Sequence, residues 1–169
     1  MAYEMKVDGM TEVSEMLDKL GEEAPKVAAQ ALYEGAGIMA DELNKAVDSI
    51  KTEPFKYAWG TRRLPSPEEK EIVKQAAAGI AKFHKEGGAE MDTSVGFRNA
   101  GYAELAGKQV PIPLIVNSIN SGTSFMQKQP FIRKTATKAA PKAMKKMQDT
   151  VETAWSKLFR ETFGKYGGR

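Results

Sequence analysis

His84 is the only imidazole in the chain and cysteine is absent, so few residues are suited to nucleophilic, redox or zinc chemistry. Without cysteine there is no disulfide framework, Cys-based zinc site or thiol nucleophile. His84 has no neighbouring carboxylate pattern. Near the end of a helical stretch it reads as a surface residue or a favourable charge at a helix C-terminus. The acidic pairs Glu22-Glu23, Asp41-Glu42 and Glu68-Glu69 fall near caps on predicted helix surfaces, which does not converge two carboxyls on one substrate. No phosphate-binding loop, nucleophile elbow, HExxH pair or dinucleotide fingerprint occurs. The chain reads as a non-enzyme with no cofactor and no metal. What remains is aromatic and basic. Phe55, Tyr57 and Trp59 alternate with other residues and are followed by Arg62 and Arg63. Such a segment suits stacking on nucleic-acid bases or, more often, an edge strand docked on protein. Lys134, Lys138, Lys142 and Lys145 recur at three- or four-residue spacing, as a solvated face or a stripe facing DNA phosphates.

Those residues must be placed by a framework, and the composition allows one. A chain of 169 residues, 41% hydrophobic and 28% charged, suits a single domain with a real core. The N-terminus lacks the apolar run of a signal peptide, and no stretch is long and apolar enough to cross a bilayer. A soluble intracellular product is the expectation. The net charge of +3 conceals an asymmetry: residues 1–50 hold four lysines against eleven acids, and residues 128–169 hold eleven Lys/Arg against three acids. Opposite halves of this kind attract within one subunit, attract a neighbouring subunit, or present a basic surface to nucleic acid.

In chain order, Met5 to Asp8 reads as a short strand closed by Gly9. Val13, Met16, Leu17 and Leu20 form a helical stripe ended by Gly21, with Thr11 as its N-cap. A longer helix starts near Glu22, accommodates Pro25 in its first turn, and keeps Val27, Ala31, Ile38, Met39, Leu43, Ala46, Val47 and Ile50 on one face. Gly35 and Gly37 inside it point to close approach of another backbone, in the core or from a neighbouring subunit. Residues 51–65 read as an extended arm. Ser66-Pro67-Glu68-Glu69 is a capping box with proline at the first helical position, and the helix it opens is expected to reach Gly87-Gly88. Met91 to Arg98 reads as a strand, and Gly101 to Leu105 continues the sheet. Pro111 and Pro113 exclude a central strand, leaving a short helix or an edge strand at Leu114–Ile119. Gly122 supplies a positive φ, and Pro130 opens a last helix running to Phe163. Its buried face is read as Ile132, Ala136, Ala140, Met144, Met147, Val151, Trp155, Leu158 and Phe159, with a kink or restart at Pro141. Residues 164–169 read as a flexible tail. The class is α+β: a small antiparallel sheet on long N- and C-terminal helices, with an extended arm and an inserted helix across 51–90.

The order of these elements carries a resemblance. A short strand, a short leucine-bearing helix and a long Ala/Gly-rich helix ending Asp48-Ser49-Ile50 come first. Val95-Gly96-Phe97, Ser121-Gly122-Thr123 and Gln129-Pro130-Phe131-Ile132-Arg133 follow, then a long terminal helix. In this order and in the Gly-Thr…Gln-Pro-Phe corner the chain resembles the minor tail component, or tail-completion, family of tailed bacteriophages and prophages, over roughly residues 5–50 and 91–163. It departs where that family carries Thr-Gly-x-Leu-x-x-Ser-Ile after the long helix, of which only Ser49-Ile50 is present. It departs again where the family has Glu before the Gly-Thr turn and this chain has Asn120 and Ser121. The resemblance implies a structural virion protein at the head–tail junction, assembled in the bacterial cytoplasm. It implies a homo-oligomeric ring, hexamer favoured over dodecamer, next to connector and tail-tube or tail-terminator proteins, with DNA passing through the lumen. Contacts with neighbours are then expected at Phe55, Tyr57, Trp59, Arg62 and Arg63, at Gly122, Thr123, Pro130 and Phe131, and at Lys134, Lys138, Lys142 and Lys145. Nucleic-acid binding by the arm and lysine face is the alternative.

Overall fold

In a computed structural model, which describes residues 10–54, 60–80, 84–86, 90–97 and 100–163, two long helices position everything else. They are α1 (Met10–Asp48) and α4 (Phe131–Phe163). Lys142 reaches Glu42 and Lys146 reaches Glu34; ascending numbers on α4 meet descending ones on α1, so the two helices run antiparallel. Part of the acidic-to-basic asymmetry is therefore satisfied within one subunit. Between α1 and α4 lie α2 (Pro67–Ala76), β1 (Gly79–Ile80), β2 (His84–Glu86), β3 (Glu90–Asp92), β4 (Val95–Gly96), β5 (Tyr102–Leu105), β6 (Lys108–Pro111) and α3 (Ile112–Ser121). Among the described residues the strands pair as three separate two-stranded antiparallel ribbons, β1 with β4, β2 with β3 and β5 with β6, not as one sheet. The class is α+β.

The core sits at one end of the helix pair. Leu43, Val47 and Ile50 of α1 meet Val73 of α2, Ile112, Ile115, Val116 and Ile119 of α3, and Phe97, Met126 and Phe131. Phe97 and Phe131 touch edge to face with ring centres 6.4 Å apart. Away from that end, α1 and α4 pack through small residues: Ala31, Gly35, Ala139 and Ala143 are buried, and the Met147 side chain lies over Gly35. Burying a narrow seam of small side chains lets two helix backbones approach closely. The close approach expected of another backbone is not what the glycines show: at Gly35 the space is taken by the Met147 side chain, and at Gly37 no described residue comes within 4 Å of where a Cβ would stand.

Several local expectations fail for identifiable reasons. The two N-terminal helices are one: α1 runs through Gly21 and Pro25. Proline clashes with the carbonyl four residues earlier, which belongs to Gly21, an exposed residue with open space around it. The helix opened at Ser66 ends at Ala76, far short of Gly87, because Ala77 takes φ 52° and the Asn44 carboxamide accepts the Ala78 N–H at 2.5 Å. Ala78 then enters the core. His84 consequently lies in β2, not at a helix end. The Met91–Arg98 strand is divided into β3 and β4. The proline-rich stretch forms a helix, with Pro111 at its N-cap and a second proline in its first turn, where a missing N–H costs nothing. α4 continues through Pro141, which is exposed. On α4, Ala139 and Ala143 are buried, whereas Met144 (68% exposed) and Phe159 (50%) are not; the buried face is turned from the predicted one. The strand expected at Met5–Asp8 and the tail at 164–169 lie outside the described residues.

The two glycines inside α1 separate cleanly. A Cβ at Gly37 meets nothing within 4 Å, so Gly37→Ala is expected to stabilise the monomer by about 0.5–1 kcal/mol through helix propensity. Gly35→Leu must displace Met147 and is expected to cost about 1–3 kcal/mol through overpacking. Chemical denaturation of both variants checks the contrast.

Candidate interaction site

The corner from Ile119 to Phe131 is densely hydrogen-bonded. α3 ends when Gly122 adopts φ 77° and ψ 170°, a region open essentially to glycine alone. The Gly122 N–H donates to Ser118 O at 2.9 Å, and the Gln129 N–H donates to Ile119 O at 2.8 Å. Between them the Thr123 N–H donates to Met126 O at 3.0 Å, while Thr123 Oγ1 accepts the Met126 N–H at 3.0 Å. This tight turn drives Met126 into the core and leaves Phe125 exposed. Asn120 Oδ1 accepts the Ile132 N–H at 3.2 Å, satisfying a donor that the first turn of α4 leaves open.

The corner grips the segment that follows α1. The Gln129 carboxamide matches the Lys51 backbone on both sides: Oε1 accepts the Lys51 N–H at 2.9 Å, and Nε2 donates to Lys51 O at 2.8 Å. Twelve residues on, at Arg63, the same strip is gripped again. Arg63 N–H donates to Phe125 O and Gln127 N–H to Arg63 O, each at 2.9 Å, a short parallel bridge between Arg63 and Met126. Gln127 Nε2 adds a bond to Arg62 O at 2.9 Å. The two ends are also tied to each other, Glu53 N–H to Pro65 O at 3.1 Å and Leu64 N–H to Glu53 Oε1 at 2.5 Å. Phe55, Tyr57 and Trp59 lie outside the described residues, but the feet of their segment are held.

Arg63 is locked rather than free. Its guanidinium forks onto Glu69, Nη1 to Oε2 and Nη2 to Oε1, both at 2.7 Å. Glu69 also accepts the Ser66 N–H at 2.7 Å while Ser66 Oγ accepts the Glu69 N–H at 3.1 Å, the reciprocal capping box read from the sequence. Glu69 is buried at 5% exposure, so of the Glu68-Glu69 pair only Glu68 stays on the surface. Burial alone pushes the Glu69 carboxyl up; the Arg63 fork and the Ser66 N–H outweigh it and hold it below its ordinary value. Lys70 reaches the Asp48 and Ile50 carbonyls at 2.7 and 3.0 Å, a cation at the negative end of α1.

Of the other predicted contact residues, Arg62 is exposed and Pro130 half-buried, while Phe131 is in the core. Lys142 is tied to Glu42 at 3.2 Å. Lys134, Lys138 and Lys145 are exposed and form no ion pair among the described residues. Beside the corner opens a shallow cleft of about 350 Å³, floored by Ile50, Leu64 and Phe131 and rimmed by Lys51, Lys128 and Lys134. No family model, curated protein or solved structure matches this chain. Among the described residues no group of acids and histidine is placed to hold a metal ion, and no helix is long and apolar enough to cross a membrane. Gln127, Gln129 and Glu69 were missed as a set by sequence reasoning. The adjacent Gln-Pro dipeptide marked the place but not what the glutamine holds.

The carboxyls that join the elements set an acid limit. Glu34 accepts from Thr150, Gln30 and Lys146, which together hold it down at about 2 against an ordinary 4.5. Glu42, hydrogen-bonded by Lys142, and Asp48, hydrogen-bonded by Lys74, are lowered as well. A carboxyl lower in the folded than in the unfolded chain makes the unfolded state bind more protons, so stability is full above the unfolded value and falls as pH drops through the folded one. Stability is expected to decline from about pH 4.5 toward pH 2, and Glu34→Gln should flatten part of that slope in denaturation midpoints measured against pH.

Proposed function

We propose that this chain is a structural virion protein of the phage head–tail junction, a ring-forming neck or tail-completion subunit that joins the tail to a DNA-filled head. The observation that carries the reading is the double grip on residues 51–63. Of the Gly-Thr…Gln-Pro-Phe residues that bear the family resemblance, Gln129 holds Lys51, and the turn closed by Thr123 sets Phe125 and Gln127 against Arg63. Holding the two ends of a segment removes the loop-closure part of the cost of ordering it on a neighbour, which suits a contact arm between subunits or onto an adjoining ring. The exposed Phe125 and Arg62 beside it extend the same surface. In this reading the partners are further copies of the chain, hexamer favoured over dodecamer, and the neighbouring connector and tail-tube or tail-terminator proteins. DNA crosses the lumen without being bound tightly.

Native mass spectrometry of the purified chain, alone and mixed with the adjoining neck proteins, tests this. A single closed stoichiometry is expected; a uniform monomer under both conditions overturns it. The three lysines without ion pairs favour a second reading, nucleic-acid binding. That reading requires a binding constant that falls with salt by several units on a log–log plot, with no ring formed in the absence of DNA.

A further inference from the structure

Two features of the helix pair are left unused by the packing of α1 on α4. Met144 lies in the apolar periodicity of α4 yet is 68% exposed. Gly37 lies in the interior of α1, where glycine is costly, yet a side chain there would meet nothing within 4 Å among the described residues. Within the subunit the neighbouring positions show how such a pair is used, because Met147 of α4 lies over Gly35 of α1. The charges beside the two unused positions are opposite and uncommitted. Lys138 and Lys145, seven residues apart and so on one face of α4, lie about 100–120° round the helix from Met144, and Asp41 lies one turn from Gly37; all three are exposed and form no ion pair among the described residues.

We propose that the α4 edge of one copy seats on the α1 edge of a second copy, with Met144 over Gly37 and Lys138 and Lys145 beside Asp41. The register follows from the pairs within the subunit. There, Lys142 meets Glu42 and Met147 meets Gly35, and an unstaggered antiparallel neighbour brings Met144 level with residues around Gly37 and Lys145 near Asp41. The contact repeats the antiparallel α1–α4 packing between copies, so the helices continue as an alternating layer. It is heterologous: the two patches differ, each copy has one of each, and the chain of contacts ends only by closing on itself. The flexible methionine fills the space over a glycine, and the charges oppose a slip in register. This inference rests on the ring reading and assigns the surfaces that would build the ring.

The absence of cysteine allows a direct test. Gly37→Cys and Met144→Cys are made in separate chains, both at exposed or open positions where folding is little affected, and circular dichroism confirms the folded state. Mild oxidation of the mixture is expected to give a disulfide-linked heterodimer that neither variant gives alone, and a chain bearing both changes should give a ladder ending at the ring stoichiometry. Asp41→Lys is expected to reduce assembly at least tenfold, and Lys138→Glu with Lys145→Glu in the same chain to restore it. Rings that persist without cross-linking, or that ignore the charge changes, overturn this contact and leave the ring reading standing. Absence of both cross-links and rings, alone and with the neck proteins, overturns both.

Discussion

Gly122→Ala is expected to lower the unfolding free energy by about 3 kcal/mol or more, a large share of what a domain this size has. Two costs add. The backbone there, at φ 77° and ψ 170°, is one that side chains avoid at about 1–3 kcal/mol. An added Cβ would also stand 2.9 Å from the Lys128 nitrogen. Backbone cannot swing aside as a flexible side chain can, so the Gln129–Ile119 bond and the grip on Lys51 have to loosen. Gly107 is the control. It also has positive φ, 74°, but open space around it, so Gly107→Ala should show only the conformational cost of about 1–2 kcal/mol. Urea midpoints with unchanged m values separate the two. If both variants lose the same amount, the corner is looser than its hydrogen bonds imply.

Breaking the Arg63–Glu69 fork is expected to cost about 3–5 kcal/mol from either side, because each single change leaves a charge buried without its partner. The side chains are 16% and 6% exposed, too enclosed for water to replace the lost ion. Replacing both, as Arg63→Met with Glu69→Leu, should recover most of the loss. About 1 kcal/mol should remain missing, since Glu69 also serves the cap of α2. A double-mutant cycle on equilibrium unfolding gives the coupling directly. A sum of single effects equal to the double effect would mean that the fork contributes nothing as a pair. The readout also bears on the proposed ring: Arg63 joins the foot of the aromatic segment to the corner, so if that proposal holds the single variants lose assembly at concentrations where the fold survives.

What depends on a few neighbouring residues was legible in the residues alone. The capping box at Ser66 and Glu69, the positive φ at Gly122, the helix opening at Pro130 and the two long amphipathic helices follow from local sterics and periodicity, and the structure has them. Local rules could not say that Gly21 and Pro25 would lie within one helix, since a proline there is disfavoured by about 3 kcal/mol. The packing of α1 along α4 offsets that. They could not stop α2 at Ala76 either. The run Ala76-Ala77-Ala78 favours continuing a helix, and only Asn44, thirty-four residues away, and a core place for Ala78 turn the chain aside. The face of α4 was misjudged because periodicity finds an apolar stripe but not how closely the opposite helix approaches. With Gly35 and alanines across the seam, Ala139 and Ala143 go inward and Met144 is left outside. The grip of Gln129 on Lys51, seventy-eight residues apart, belongs wholly to tertiary structure. Nothing within a turn of either residue records it, because a carboxamide finds a distant peptide group only after both helices have been placed.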